Sequence, residues 1–207
     1  MEFCFCYAYA MKPQKDIIKF LHEAEKLKSI LRHSWLSSGR RESTAEHTWR
    51  MALMAILLRP YLKNNPDLSK TLRMVLVHDL VEVYAGDIPA WARDKSRKRA
   101  AEDQAMKKLS KILNNKQGQD LYRLWKEYQN SQTLEAKFAK ALDRLEAKLQ
   151  HQEADVKHLN SREIKFNLSH GQKETEFDPF LKALWEDLRG NWLKIYRKNK
   201  INPKLYQ

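Results

Sequence analysis

The sequence has few residues that interrupt helices: its 207 residues include only five glycines and six prolines. Leucine, alanine, lysine, glutamate and arginine, which favour helices, are abundant. The charged fraction of 31% and the negative mean hydropathy exclude a membrane-spanning protein. Internal repeats, glycine-rich phosphate loops and low-complexity tracts are also missing. We therefore predict a soluble chain that is mostly helical.

Cysteine is scarce as well. Cys4 and Cys6 lie too close together for an unstrained disulfide and are too few for a disulfide framework, which fits a reducing, cytoplasmic location. The apolar start "MEFCFCYAYAM" has Glu2 where a signal peptide needs positive charge. We predict a short N-terminal extension there, with Met11 as an alternative start.

Charge of one sign is in excess: the formal net charge is +13. Such a charge favours anionic partners, for example nucleotides, nucleic acid or acidic lipid, but it does not choose among them. Much of the excess lies in the runs "RDKSRKR" (93–99) and "RKNKINPK" (197–204). The simplest interpretation of both runs is a solvated surface.

The spacing of apolar residues predicts an all-α fold, a single compact bundle of six to seven helices. A capping-box pair, Ser43 and Glu46, marks the start of the second helix, and Gly86 ends the third. No β-rich segment stands out, and we expect a polar surface loop at 156–177. The predicted helices span 16–32, 44–62, 69–85, 96–114, 118–130, 133–155 and 178–197. The predicted buried side of the first helix comprises Ile17, Phe20, Leu21, Leu27 and Leu31.

We predict one domain, since two domains would each be small at this length. It spans 15–197, with core motifs at 32–155 and a helical C-terminal part at 178–197. An N-terminal extension (1–14) precedes it and a basic tail (198–207) follows it.

The third predicted helix contains an unusual pair, His78 and Asp79. Asp79 falls inside an apolar stripe, where an ionised carboxylate must be paired or bound to a metal. His78 lies about 100° round the helix, and Glu82, four residues after His78, overlooks the same point. The stripe consists of Leu72, Val75, Leu76, Leu80 and Val83.

Two other predicted helices supply similar residues. His47 lies in line with Met51, Met54 and Leu58, which would carry it inward, although a helix cap or a satisfied core histidine is an alternative. Asp143 is the second such residue, and half of an ion pair with Arg144 or Lys140 is its alternative. Small residues that let helices approach share its face: Ala136, Ala139 and Ala147.

Together, His47, His78, Asp79 and Asp143 make a mixed nitrogen and oxygen site that suits one divalent transition metal with open positions for water. Co, Mn, Zn, Fe and Cu all remain open as its identity. The order H...HD...D at helical spacing resembles the HD-domain phosphohydrolases. Those with two metals carry additional histidines before the late Asp, and none occurs here from 80 to 142.

Three stretches are similar to the 5′-deoxynucleotidase branch of this family: "RHSWLSSGRRESTAEHTWRMALMA", "LVHDLVEVYAGDIPA" and "AKALDRLEAKLQ". The resemblance covers about residues 15 to 155. It implies metal-dependent removal of the 5′-phosphate from 2′-deoxyribonucleoside 5′-monophosphates. It also implies the four metal ligands named above, Glu82 as acid or base, Arg32 as a catalytic phosphate clamp and Trp35 as a wall against the sugar. The implied substrate-binding residues are Arg32, Trp35, His47, Asp79, Asp87, Ile88, Pro89, Ala90 and Asp143.

Several alternatives stay open. Arg40 or Arg41 can take the place of Arg32, Asp87 is also a common turn residue, and Trp35 can simply fill the core. Hydrolysis of a nucleoside triphosphate or an alarmone, or noncatalytic binding of nucleic acid, are the alternative functions. The resemblance suggests a homodimer; the apolar C-terminal helix supplies either an interface or core packing.

Overall fold

The chain folds into a helical bundle with one small β-hairpin. The computed structural model describes residues 13–87 and 95–202. The all-α prediction is confirmed, although these residues hold ten helices, of which α4 and α9 are one turn long. The helices are α1 (Pro13–Ala24), α2 (Thr44–Leu58), α3 (Leu68–Val77), α4 (Glu82–Ala85), α5 (Lys95–Ser110), α6 (Asn115–Asn130), α7 (Leu134–Glu153), α8 (Ser161–Ser169), α9 (Gln172–Thr175) and α10 (Pro179–Lys198).

Three mutually packed helices, α2, α3 and α7, form the centre of the bundle. The predicted capping box fixes the start of α2: the Ser43 side chain accepts from the Glu46 backbone, and the Glu46 side chain accepts from the Ser43 backbone. Asp67 caps α3 and Thr133 caps α7, each with a side-chain oxygen that accepts a hydrogen bond from a backbone N–H in the first turn. The buried alanines of α7 let its neighbours approach closely: Ala136, Ala139, Ala141 and Ala147.

Among the described residues, the structure contains one short β-hairpin that the sequence pattern did not indicate. β1 (Leu31–Trp35) pairs antiparallel with β2 (Arg41–Ser43) in a segment that the sequence indicated as a loop. Gly39, at φ 84°, forms part of the connecting turn. The buried positions of β1 are Arg32 and Ser34, which are polar, so the strand has no apolar alternation to detect.

The first helix is shorter than predicted. α1 ends at Ala24, a 3₁₀ segment covers Glu25–Lys28, and β1 follows. Leu27 is buried and Phe20 is partly buried, but Ile17, Leu21 and Leu31 are exposed, so most of the predicted buried face is wrong. Leu31 lies outside the helix because the chain leaves it before Leu27 and turns into the hairpin, and α1 itself has no fully buried residue.

The predicted loop at 156–177 is also wrong, since it contains a 3₁₀ segment (Val156–His158), α8 and α9. Glu163 and Asn167 are buried in α8, so its inner face is partly polar and lacks a clear apolar period. In α10 the apolar face packs within the chain, as the core-packing alternative expects: Leu181, Trp185, Leu188, Trp192 and Tyr196 are buried. Among the described residues, no helix has both the length and the apolar character of a membrane span.

Candidate active site

His47 lies in the first turn of α2 and is completely buried. Its Nδ1 is hydrogen-bonded to the Glu146 carboxylate of α7. Its Nε2 points the other way, 3.5 Å from Asp143 Oδ1 and 4.0 Å from Asp79 Oδ2. Burial and Arg32 lower the pKa of His47, but the Glu146 and Asp143 carboxylates outweigh them and raise it to about 10. The carboxylates around the His47 ring therefore favour a positive charge there, which a cation at Nε2 would supply.

His78 and Asp79 lie where the predicted third helix breaks into α3 and α4. Beyond Val77 the backbone hydrogen bonds shorten to three-residue spacing, with Leu80 N–H donating to Val77 C=O and Glu82 N–H to Asp79 C=O. His78 Nδ1 donates to the Val75 carbonyl at 2.7 Å, and its Nε2 lies 3.0 Å from Asp79 Oδ2. The turn thus aims both side chains inward. Leu76, predicted in the same buried stripe, is 56% exposed because its side chain faces away from this turn.

Asp143 projects from the middle of α7. Its Oδ2 accepts a hydrogen bond from Tyr128 at 2.9 Å and lies 3.2 Å from Arg144 Nη1, while its Oδ1 faces His47. The predicted alternative, an ion pair with Arg144, therefore holds for Oδ2 of Asp143. Its Oδ1 is directed at His47. Burial raises the pKa of Asp143, but Arg144 and the two imidazoles hold it well below its usual range. The carboxyl group is ionised, as a metal ligand must be.

The donor set formed by His47, His78, Asp79 and Asp143 fits a divalent transition metal. Both Nε2 atoms are buried and face the Asp79 and Asp143 oxygens, but within the described part of the chain neither makes a hydrogen bond of acceptable geometry, whereas both Nδ1 atoms are held by oxygen. Metal-ligating histidines are oriented in this way. Ligand atoms of His47, His78 and Asp79 lie within 4.8 Å of one another. The Asp79 and Asp143 side chains are 20% and 13% exposed, so both carboxylates are partly accessible to water.

Glu82 begins α4 and is buried beside this group. Thr44, at the first position of α2, donates its hydroxyl to Glu82 Oε2 at 2.7 Å. Burial raises the pKa of Glu82 to about 9, and the Asp79 and Asp87 carboxylates add to this effect. The structure therefore brings Glu82 to the predicted place, next to Asp79 in a carboxylate-rich pocket.

Arg32 reaches the same group from β1. Its Nε donates to Glu42 Oε2 at 3.1 Å, and its Nη1 lies 3.6 Å from Asp79 Oδ2. Burial alone would lower the pKa of Arg32, but the surrounding carboxylates, Asp79 foremost, raise it. The alternative arginines contact other groups: Arg40 pairs with Glu46, and Arg41 donates to the Arg32 carbonyl.

Of the remaining predicted residues, the structure describes Trp35 and Asp87. Trp35 is partly buried and stacks on His158, with ring centroids 4.2 Å apart, so it does not fill the core. Its carbonyl accepts from Gln150 at 2.7 Å. Asp87 Oδ2 lies 3.8 Å from His33 Nδ1. Ile88, Pro89 and Ala90 lie outside the described residues.

Sequence reasoning missed two buried carboxylates behind the site. Glu146 holds His47 and also accepts from Arg50 Nε at 2.8 Å, and Glu42 holds Arg32. Burial raises the pKa of Glu146, but the nearby His47, Arg32 and Arg50 lower it by more than burial raises it. The pKa therefore lies below its usual value and the carboxylate is ionised. Glu146 lies three residues after Asp143 on α7, and that helical spacing was the available signal. The polar strand gave no comparable signal for Glu42.

Relatives with curated names match most of the chain. The 5′-deoxynucleotidase HDDC2 of Homo sapiens is 36% identical over 72% of this chain and 73% of its own. The 5′-deoxynucleotidase hdd1 of Schizosaccharomyces pombe is 31% identical over 86% of this chain and 87% of its own.

A solved structure has a similar fold. The predicted metal-dependent phosphohydrolase from Magnetospirillum magnetotacticum MS-1 superposes with a TM-score of 0.76 and 31% identity, covering 92% of this chain and 96% of its own. The family model described as "HD domain" matches residues 24–185, which include His47, His78, Asp79 and Asp143. The predicted family is confirmed: the chain belongs to the HD-domain family.

Proposed function

We propose that the chain is a metal-dependent 5′-deoxynucleotidase, which hydrolyses 2′-deoxyribonucleoside 5′-monophosphates to deoxynucleoside and phosphate. One observation carries the proposal: two buried imidazole nitrogens, His47 Nε2 and His78 Nε2, face two carboxylates beside a buried arginine, and neither nitrogen is hydrogen-bonded to any residue that the structure describes. The similarity to the human and fission-yeast 5′-deoxynucleotidases supports this substrate class.

In this proposal His47, His78, Asp79 and Asp143 hold one divalent cation. When bound, the cation supplies a nucleophile at neutral pH by acidifying water and neutralises charge on the phosphoryl group. Glu146 keeps the His47 ring in place through Nδ1, and the Val75 carbonyl does the same for His78. Nitrogen and oxygen donors in this mixture suit Co, Mn, Zn, Fe and Cu, so the identity of the metal is left to measurement.

Arg32 binds the phosphate group. Its planar guanidinium matches two phosphate oxygens at once, and it keeps its charge under all relevant conditions. Glu42 fixes the Nε side of the guanidinium, which leaves the Nη side directed at Asp79 and the site. The arginine is therefore held in place before the substrate arrives, so little entropy is lost on binding.

Glu82 transfers a proton during the reaction, since it is the carboxyl group beside Asp79 that is not assigned to the cation. Thr44 occupies Oε2, so Oε1 is the atom that exchanges the proton with the leaving 5′-oxygen or with water. Thr44 thereby orients Glu82, which is a positioning role. A proton-transfer group of this kind contributes roughly 10²–10⁴-fold to the rate.

Asp87 and Trp35 select the sugar. Asp87 accepts a hydrogen bond from the 3′-hydroxyl, and Ile88, Pro89 and Ala90, which lie outside the described residues, stay predicted nucleoside-binding residues. Trp35, stacked on His158, is a rigid wall that leaves no room for a 2′-hydroxyl. Contacts of this type predict modest discrimination among bases.

A phosphate-release assay tests the proposal. The full-length protein is incubated with ribo- and deoxyribonucleoside mono-, di- and triphosphates in the presence of several divalent metals. We expect release from the deoxynucleoside 5′-monophosphates only when metal is present. Release from triphosphates or from an alarmone instead would favour the alternative hydrolase. Salt-sensitive binding of nucleic acid without any hydrolysis would favour a binding module.

The homodimer and the cytoplasmic location stay predictions. Any dimer would have to use surfaces other than the apolar face of α10, because that face is buried within the chain. Size-exclusion chromatography with light scattering measures the oligomeric state directly.

A further inference from the structure

A second group of metal-ligating side chains lies apart from the four proposed HD ligands: His33 on β1, His151 near the end of α7, and Glu163 in α8. One ring nitrogen of each histidine and one carboxylate oxygen of Glu163 lie within 4.8 Å of one another. The two rings meet edge to face, with centroids 5.2 Å apart. His151 and Glu163 are 3% and 4% exposed. Three separate elements therefore bring nitrogen and oxygen donors to one buried point.

His151 is oriented as a metal ligand. Its Nδ1 donates to Asn167 Oδ1 at 2.8 Å, which leaves Nε2 with its lone pair. That Nε2 is buried and has no hydrogen-bond partner among the residues that the structure describes. Burial lowers the pKa of His151 to about 4, so the ring is neutral at physiological pH. A buried nitrogen in this condition is costly unless something binds it.

His33 and Glu163, the other two residues of the group, also have polar neighbours. The Asp87 carboxylate lies 3.8 Å from His33 Nδ1, so an oxygen faces this nitrogen at a longer distance than the 2.8 Å that separates the Asn167 oxygen from His151 Nδ1. Glu163 Oε2 accepts from the Asn160 backbone at 2.8 Å, within the capping box of α8, which leaves Oε1 for a ligand. Oxygen acceptors behind ligating histidines are the arrangement that orients rings at metal sites.

We propose that His33, His151 and Glu163 form a second site for a divalent transition metal, with Zn²⁺ as the preferred occupant. Two imidazoles and one carboxylate, completed by water, are a donor set that Zn²⁺ accepts. Zn–N and Zn–O distances of about 2.0–2.2 Å require each donor atom to move by less than about 1 Å from its present place. The bound metal ties β1 to α7 and α8, and so stabilises the hairpin that carries Arg32 and Trp35. The proposal does not depend on the phosphatase assignment.

Metal stoichiometry tests the proposal. Metal-free full-length protein is titrated with Zn²⁺, and metal per chain is counted by native mass spectrometry. We expect two Zn²⁺ ions in the unmodified protein, one in His151→Ala and one in Asp79→Ala, which keeps only the second site. His22→Ala removes an exposed histidine of α1 and is the matched control, with two ions expected. Zn²⁺ should also raise the Tm of the unmodified protein more than that of His151→Ala.

Glu163→Gln is the second variant, because glutamine can replace glutamate in a capping box and α8 should therefore still fold. We expect at least a tenfold weaker affinity for the second Zn²⁺. If His151→Ala does not fold, the Zn²⁺ stoichiometry and affinity of Glu163→Gln and His33→Asn are compared with those of the unmodified protein instead. Zn²⁺ stoichiometry and affinity that are unchanged in all folded variants, or loss of all bound Zn²⁺ in Asp79→Ala, would overturn the proposal.

Discussion

The two sides of the candidate active site are built differently. The helix α2, the turn between α3 and α4, and the helix α7 contribute buried histidines and partly buried aspartates that interrupt apolar faces. The β1–β2 hairpin instead contributes Arg32 and Trp35 from a strand whose buried residues are polar. In our proposal the helical side holds the metal and the hairpin side binds the substrate. Substitutions on the helical side should therefore abolish turnover, and those on the hairpin should chiefly change KM and specificity.

The largest effects are expected for Asp79→Ala and Asp143→Ala. Each should abolish activity and lower the metal content of the site formed by His47, His78, Asp79 and Asp143. Removal of a carboxylate takes away both a ligand and a negative charge that balances the cation. Metal analysis and phosphate release measure the two effects. Asp120→Ala, which breaks a surface pair with Arg123 on α6, is the control and should behave like the unmodified protein. Unchanged metal content in both site variants would show that these residues are not ligands.

Glu82→Gln should lower kcat by roughly 10²-fold or more while fold and metal content are retained. The amide oxygen of glutamine can still accept from Thr44, so the substitution removes the proton-transfer group and little else. Steady-state kinetics and metal analysis on the same preparation measure both quantities. Unchanged turnover would reduce Glu82 to a hydrogen-bonding residue.

Glu146→Gln tests the support behind a proposed ligand. Without the carboxylate on His47 Nδ1, affinity for the catalytic metal should fall by roughly 10- to 100-fold, and added metal should restore activity. Glu153→Gln is the matched control, since Glu153 also bonds Arg50 but lies at the exposed end of α7. Identical metal-dependence curves for the two variants would contradict the role of Glu146.

On the hairpin side, Arg32→Ala should mainly raise KM, by roughly tenfold or more, since a hydrogen bond to a charged group contributes about 1.5–3 kcal/mol. Arg41→Ala, in the paired strand, should change KM less than Arg32→Ala does. The Arg41 guanidinium contacts the Arg32 carbonyl and the Trp35 ring, so it is not assigned to the phosphate. If Arg41→Ala raises KM instead, the assignment of the phosphate clamp to Arg32 is wrong.

The difference between the two sides also explains what could be predicted from the sequence. His47, Asp79 and Asp143 could be found because each breaks an apolar helical period, and the capping box placed the start of α2 correctly. The turn after Val77 could not be foreseen, since the apolar spacing continues through it to Leu80 and Val83, and the bond from the His78 side chain to the Val75 carbonyl leaves no trace in that spacing.

The hairpin and α8 escaped prediction for the opposite reason. Their inner faces carry Arg32, Ser34, Glu163 and Asn167, whose burial depends on partners that are far away in the sequence. Periodicity of apolar residues does not detect such faces. The roles of Arg32, Trp35 and Asp87 came from the resemblance, and the contact between Trp35 and His158 is known only from the fold.

The ratio of kcat/KM for dAMP to that for AMP tests the central claim most directly. We expect the unmodified protein, with its metal, to prefer dAMP, because the Trp35 wall excludes a 2′-hydroxyl. Trp35→Ala should narrow the ratio and weaken both substrates, since apolar contact is lost as well. Equal hydrolysis of dAMP and AMP by the unmodified protein would contradict the deoxynucleotidase assignment and leave a metal-dependent phosphohydrolase of other specificity.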